Sequence, residues 1–233
     1  GNNDLTSGDG DDTVMAGDGN DTIYTGSGDD KVDAGSGNDL IIGGDGAGDD
    51  KYDGGLGVDT IKFTSATDDI VVDLREGIAG SKNGGNRSEI GSDTLTNIEN
   101  VIGSYYDDLL IGDNADNNFD AEKGDDIIQG GAGTDTAVYR GKQSEYIIKK
   151  QKNGWIEIVD QVKKRDGSDK LLAIEKVQFS DQQVDLNRIF ESAYSTVHTA
   201  GSVAFQQHSD TGLYAVSVNG GNSIAITSGG KQI

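Results

Sequence analysis

The chain has 233 residues, with 41 acidic side chains against 19 basic ones, a formal net charge of −22, a pI of about 4.2, 36 glycines, and neither proline nor cysteine. Without cysteine there is no disulfide framework and no thiolate zinc site, and so negative a charge argues against a nucleic-acid partner. No apolar run approaches the roughly 18 residues of a membrane helix, and no basic-then-apolar leader opens the sequence.

The charge is concentrated. Residues 1–62 hold 15 Asp and three Lys, and residues 103–138 hold eight Asp, Glu122 and Lys123, whereas 139–233 carry ten acids and twelve bases. Acid-rich chains with few large apolar residues ordinarily stay expanded, and their acids fall without period. Here the acids recur every nine residues.

From Ser7 the chain reads SGDGDDTVM, AGDGNDTIY, TGSGDDKVD and AGSGNDLII, then GGDGAGDDKYD with two extra residues, then GGLGVDTIK. Glycine recurs at the second and fourth places. The sixth place is Asp12, Asp21, Asp30, Asp39, Asp50 and Asp59, and the eighth is Val14, Ile23, Val32, Ile41, Tyr52 and Ile61. The leading GNNDLT reads as the end of an earlier repeat, with Asn3 in the sixth place and Leu5 in the eighth, so an array is expected to begin upstream. Each nonapeptide predicts a tight glycine turn followed by a three-residue strand whose eighth-place side chain points inward. One such side chain cannot stabilise an isolated turn, so the repeats must stack.

Residues 63–102 interrupt the array. FTSATDDIVVDL alternates like a half-buried strand, GIAGSKNGGNRSEIGSD reads as a surface loop, and LTNIENVI places Ile98 and Val101 where strands of a resumed stack should start. This reads as an excursion within one domain; two stacks joined by a linker are the alternative. Period nine returns from Gly103 to Val138 as GSYYDDLLI, GDNADNNFD, AEKGDDIIQ and GGAGTDTAV, with Asp108, Asn117, Asp126 and Asp135 in the sixth place and Leu110, Phe119, Ile128 and Ala137 in the eighth.

After Tyr139, SEYIIKKQKNGWIEIVDQ predicts a hairpin turning at Asn153-Gly154, and LLAIEKVQF and QQVDL predict further strands, so residues 139–190 read as a β-rich cap over the open end of the stack. Lys149, Lys150, Lys152, Lys163, Lys164 and Arg165 read as a solvated hairpin face, a partner surface being the alternative. From Ser192, SAYSTVHTAGS reads as a linker; SVAFQQ, GLYAVSV and SIAITSG read as strands with a turn at Asn219–Asn222, making 191–233 the start of a further β module or a C-terminal tail. His198 and His208 lie in that tail, so no nucleophilic triad and no catalytic residue is expected.

The fold class expected is all-β: stacked parallel strands in which two nonapeptides complete one circuit. Loops eighteen residues apart then lie above one another, with Asp12, Asp30 and Asp50 on one edge and Asp21, Asp39 and Asp59 on the other. Such rows repel unless a cation lies between them, and oxygen-only ligands favour a hard ion: calcium above magnesium, and not zinc.

The motif GGxGxDx(apolar)x, as AGDGNDTIY and GGLGVDTIK carry it, resembles the RTX family of secreted calcium-binding proteins. DTLTNIENVIGS, GSYYDDLLIG and GGAGTDTAVYRG resemble the ending of RTX arrays, and RDGSDKLLAIEKVQFSD resembles the segment that follows them. The resemblance implies a parallel β-roll with a β-rich cap, several calcium ions, folding on calcium, and type I secretion. It also implies ligands: carbonyls of the second and fourth residues plus the aspartate of a lower loop, and carbonyls of the first and third plus the aspartate of the loop two repeats on. Carried over, Gly8, Gly10 and Asp12 face Thr25, Ser27 and Asp30; Gly17, Gly19 and Asp21 face Ala34, Ser36 and Asp39. Gly26, Gly28 and Asp30 face Gly43, Asp45 and Asp50; Gly35, Gly37 and Asp39 face Gly54, Leu56 and Asp59. In the second block Ser104, Tyr106 and Asp108 face Ala121, Lys123 and Asp126, while Asp113, Ala115 and Asn117 face Gly130, Ala132 and Asp135. The last two sets depart from the motif, since Tyr106 and Ala115 replace glycine and Asn117 replaces aspartate. The function implied is a structural or adhesion segment of a secreted, cell-surface or S-layer-type protein, with cell-surface or self-association partners. The alternative is the folding and export module of a secreted hydrolase or toxin.

Overall fold

A computed structural model describes residues 1–43, 48–83 and 89–191, together with the strands at 198–200, 203–208, 212–217 and 224–226. Residues 1–184 form one compact unit and 185–233 a second.

Each nonapeptide of the first block forms a strand over its seventh to ninth residues: β1 (Asp4–Thr6), β2 (Thr13–Met15), β3 (Thr22–Tyr24), β4 (Lys31–Asp33), β5 (Leu40–Ile42), β6 (Lys51–Asp53) and β7 (Thr60–Lys62). Odd and even strands go to opposite sheets and pair in parallel, Asp4 beside Thr22 and Thr13 beside Lys31. The two extra residues change the offset from 18 to 20 at Lys31 beside Lys51 without breaking the ladder. The period forces this layout. Three extended residues turn one side chain inward, and the glycine loop carries the chain to the other sheet.

Eighth-place residues, joined by Val72, Leu95, Val101, Leu171 and Val177 from outside the nonapeptides, form two facing columns. Ile23, Ile41, Ile61, Val101, Phe119, Ala137 and Val177 line one sheet; Val32, Tyr52, Leu95, Val72, Leu110, Ile128 and Leu171 line the other, and all are buried. Full burial of each large member stabilises by roughly 1.5–3 kcal/mol, so the core is additive along the stack.

The excursion differs from the sequence expectation. It forms β8 (Ile70–Asp73), β9 (Ile78–Ser81) and β10 (Ser92–Thr96), an antiparallel meander, before β11 (Asn100–Ile102). Only the end of FTSATDDIVVDL is a strand, and the segment expected to be a surface loop carries β9 and the start of β10; residues 84–88 lie outside those described. The last strand of the meander returns to the roll, β10 beside β6 and β11 beside β7, both parallel. Val101 centres β11, while buried Ile98 sits in the turn before it rather than in a strand.

The second block supplies β12 (Leu109–Ile111), β13 (Asn118–Asp120), β14 (Ile127–Gln129) and β15 (Thr136–Val138). A second meander follows in β16 (Tyr146–Lys150), β17 (Ile156–Asp160) and β18 (Ser168–Leu172), with β18 parallel to β14 and then β19 (Lys176–Gln178) parallel to β15. With β20 (Gln183–Asp185), one sheet has the order β1-β3-β5-β7-β11-β13-β15-β19-β20 and the other β16-β17-β18-β14-β12-β8-β9-β10-β6-β4-β2. Both sheets therefore run unbroken past the excursion. The segment read as a cap adds a further circuit to the roll, with an antiparallel hairpin at its edge.

That hairpin joins Lys150 to Ile156 through five residues rather than two, with Gly154 at φ +91°. Lys149, Lys150, Lys152, Lys163 and Lys164 are exposed, whereas Arg165 is half-buried in a cluster of its own. Arg165 pairs with Asp160 and Glu145, both at 2.6 Å, and lies 4.9 Å above the Tyr146 ring. Tyr139, Tyr146 and Phe179 pack ring to ring at 5.1–5.8 Å beneath it.

In the second unit a short helix, α1 (Leu186–Glu191), precedes a four-stranded antiparallel sheet of β21 (His198–Ala200), β22 (Val203–His208), β23 (Gly212–Ser217) and β24 (Ile224–Ile226). β21 lies inside the stretch read as a linker, and the turn expected at Asn219–Asn222 lies outside the described residues. No described helix is long and apolar enough to cross a membrane.

Candidate metal centre

The loops between strands stack along both edges of the roll. At every rung the sixth-place carboxylate accepts the backbone N–H of the sixth-place residue one circuit below: Asp12 N–H to Asp30 Oδ1 at 2.9 Å, Asp21 to Asp39 at 2.7 Å, Asp30 to Asp50 at 2.7 Å and Asp39 to Asp59 at 2.7 Å. Asn3 donates likewise to Asp21 at 2.6 Å. Each bond fixes one carboxylate oxygen. The other, Oδ2, is buried without a hydrogen-bond partner in Asp21, Asp30, Asp39, Asp59, Asp93, Asp126 and Asp135. Buried polar atoms are ordinarily paired, so rows of orphaned carboxylate oxygens along the roll's edges indicate a missing positive partner.

A second ladder runs in the opposite direction through the fifth place. Asp11 and Asp29 accept the N–H of the fifth-place residue one circuit above at 3.0 Å, Asn20 and Asn38 do so at 2.9 and 3.1 Å, and Asp49 accepts the N–H of Ser92 at 2.9 Å. In the second block Asp107 and Asp116 repeat this at 2.8 Å, and Asp125 accepts the N–H of Ser168 at 2.9 Å. The signal is present in the sequence, where the fifth place is Asp or Asn until a row ends at Val58 or Thr134. From the sequence alone no role is expected of this place.

The second- and fourth-place residues bring the backbones into contact. A Cβ on Gly28 would stand 2.5 Å from the Gly10 carbonyl carbon, and one on Gly35 would stand 2.2 Å from the Gly17 oxygen. The third-place carbonyls of Ser27, Ser36 and Leu56 accept N–H bonds from Gly10, Gly19 and Gly37 at 2.6–2.8 Å, and the Gly17 and Gly35 carbonyls accept from Ser36 and Leu56. Each carbonyl keeps a second lone pair.

The structure thus brings together the expected partners over Asp12/Asp30, Asp21/Asp39 and Asp39/Asp59. Over Asp30/Asp50, Asp45 lies outside the described residues, and Asp50 Oδ2 accepts the Tyr52 hydroxyl at 2.7 Å. In the second block Asp108 accepts from Ser104 N–H, Ser104 Oγ and Ile70 N–H, leaving it satisfied, and the Lys82 ammonium bonds the Asp107 carbonyl beside it. Asn117 accepts from Asp113 N–H and donates its amide to the Glu99 carbonyl. Ser104 and Asp113 also close their own loops onto the N–H groups of Tyr106 and Ala115, replacing the turn that glycine makes elsewhere. The upper partners, with Ala121, Lys123 and Asp126 in one loop and Gly130, Ala132 and Asp135 in the other, keep one free carboxylate oxygen each.

The RTX calcium-binding nonapeptide repeat (4 copies) matches residues 1–32, 24–61 and 102–137, the two stacked blocks and little else. The two stacked blocks are RTX calcium-binding nonapeptide repeats. A search of curated proteins finds no significant match. The RTX assignment names the cation as calcium, and the donor set fits it: carboxylate and carbonyl oxygens only, with an orphaned carboxylate oxygen at most rungs. Among the described residues no group of three or more His, Cys, Asp or Glu side chains converges.

The electrostatics agree. Burial pushes the Asp59 and Asp135 carboxyls up to about 6 and Asp93 up to about 8, with neighbouring carboxylates adding to the shift. Asp39 and Asp50 are raised from 3.8, again chiefly by burial, and burial likewise raises both members of the Asp126–Asp169 pair. In the cation-free RTX fold these groups hold protons that the unfolded chain releases near 3.8. Their contribution to stability is therefore complete below that pH and is lost as the pH rises through about 6 and then about 8. In chelator the roll should be most stable near pH 4 and weakest above about pH 8, and apparent calcium affinity should climb across the same window. Urea midpoints in chelator and calcium titrations between pH 5 and 8 check this; flat profiles contradict it.

Proposed function

We propose that this chain is a calcium-responsive β-roll segment of a secreted or cell-surface protein, ordered by extracellular calcium and serving a structural or adhesive role. The observation that carries the proposal is the row of buried, unpartnered Oδ2 atoms of Asp21, Asp30, Asp39 and Asp59. A chain of net charge −22 that stacks carboxylates along two edges repels itself until those charges are bridged. Calcium of roughly millimolar order, as in extracellular sites of weak affinity, is sufficient, and binding free energy then becomes folding free energy.

The ligands proposed are the second- and fourth-place carbonyls and aspartate of each lower loop, with the first- and third-place carbonyls and aspartate of the loop above. The strongest sets are those ending in Asp12/Asp30, Asp21/Asp39 and Asp39/Asp59. The Asp108/Asp126 and Asn117/Asp135 sets are weaker, because the lower residue of each is already hydrogen-bonded. The test is far-UV circular dichroism at about pH 7.5 in chelator, then with calcium or magnesium added. The β-sheet signal should be largely absent in chelator, return with calcium and fail to return with equal magnesium. A full signal in chelator contradicts the proposal.

A further inference from the structure

The two meanders occupy equivalent places in the roll. Residues 91–104 read GSDTLTNIENVIGS and residues 167–180 read GSDKLLAIEKVQFS, 76 positions on, sharing glycine, serine, aspartate, leucine, isoleucine, glutamate, valine and serine in register. Their geometry repeats as well. Asp50 N–H donates to Asp93 Oδ1 at 3.0 Å, as Asp126 does to Asp169 at 3.0 Å. Asp59 N–H donates to Glu99 Oε2 at 2.8 Å, as Asp135 does to Glu175 at 2.9 Å. The φ of +51° at Asn97 recurs at Ala173, and their carbonyls press on Gly54 and Gly130 in the same way.

These bonds copy the sixth-place bond between nonapeptides, yet Asp93, Glu99, Asp169 and Glu175 belong to no nonapeptide. Asp93 is 2 % exposed and its Oδ2 is orphaned, as are the buried Oδ2 atoms of Asp59, Asp126 and Asp135 at the other three rungs. Resting on the calcium reading above, we propose that Asp93, Glu99, Asp169 and Glu175 are calcium ligands, each closing one row of ions at the rungs Asp50/Asp93, Asp59/Glu99, Asp126/Asp169 and Asp135/Glu175. The chain is then two copies of one unit: a nonapeptide array whose two ion rows are each terminated by an acid from the meander, an aspartate on one edge and a glutamate six residues later on the other. Glutamate suits the second position because its extra methylene carries the carboxylate from a turn residue back to the loop below.

The test is the number of calcium ions bound by the full chain, measured by equilibrium dialysis with calcium alone. Asp93→Asn, Glu99→Gln, Asp169→Asn and Glu175→Gln each keep a carbonyl oxygen to accept the N–H below, so the ladder survives while the charge is lost. Each is expected to bind one ion fewer than the unaltered chain, the fourfold variant to lose all these rungs, and circular dichroism in saturating calcium to stay unchanged. Asp33→Asn, on an exposed ninth-place residue, should bind the full number. If the unaltered chain binds calcium and the fourfold variant binds the same number with the same affinity, the row-closing role is wrong and the nonapeptide sites stand. If the unaltered chain binds none, both readings fall. Should one variant not fold, its counterpart 76 residues away decides, since the two units predict the same loss.

Discussion

Asp39→Ala is expected to raise the calcium concentration at half-folding by tenfold or more, while Asp33→Ala leaves it within about twofold. Asp39 is buried, takes the Asp21 N–H at 2.7 Å on one oxygen, leaves the other unpartnered, and gives its own N–H to Asp59. It therefore belongs to two rungs. Removing a charge from a buried, paired site costs on the order of 3 kcal/mol, and about 1.4 kcal/mol corresponds to a factor of ten. Asp33 occupies the exposed ninth place of β4 and belongs to neither ladder. Asp39→Asn separates the two duties of the carboxylate: the amide oxygen still accepts the Asp21 N–H, but the charge is gone. Calcium titrations followed by circular dichroism should place Asp39→Asn near Asp39→Ala. If it instead behaves like the unaltered chain, hydrogen bonding and not a cation accounts for the aspartate row.

Gly37→Ala is expected to destabilise the calcium-loaded roll by roughly 3 kcal/mol or more, against roughly 1 kcal/mol for Gly154→Ala. Both glycines have positive φ, +143° and +91°, so alanine is strained at either. They differ in what the methyl group meets. At Gly37 it would stand 2.0 Å from the Gly19 carbonyl oxygen, in backbone that the stack holds in place; at Gly154 nothing lies within 4 Å. Urea denaturation of both variants in saturating calcium measures the difference. Equal losses would mean that the loops are free to separate, and close stacking would no longer explain the fourth-place glycine.

The nine-residue period carried most of this architecture in legible form. A repeat too short to bury more than one side chain must stack, which places Ile23, Ile41 and Ile61 in one column and Asp21, Asp39 and Asp59 on one edge. The meanders were not legible, because β9 owes its place to pairing with β8 and β10 on either side, and Ile78–Ser81, with a glycine inside it, has no pattern of its own. Asp93 and Glu99 were hidden for the same reason. They reach Asp50 and Asp59 only after the chain leaves the roll and returns 43 and 40 residues later, which no local spacing encodes. The fifth-place acids lie between these cases: their recurrence is plain in the sequence, but the direction of their bonds follows only from how one loop sits over another.

The most direct test of the account is where calcium lies. In crystals grown with calcium, anomalous scattering should place ions in two columns along the roll's edges, between Asp12 and Asp30 on one and between Asp21, Asp39 and Asp59 on the other, each within about 2.3–2.6 Å of carboxylate and loop carbonyl oxygens. The same stacked loops with water and no anomalous signal beside those Oδ2 atoms would contradict it.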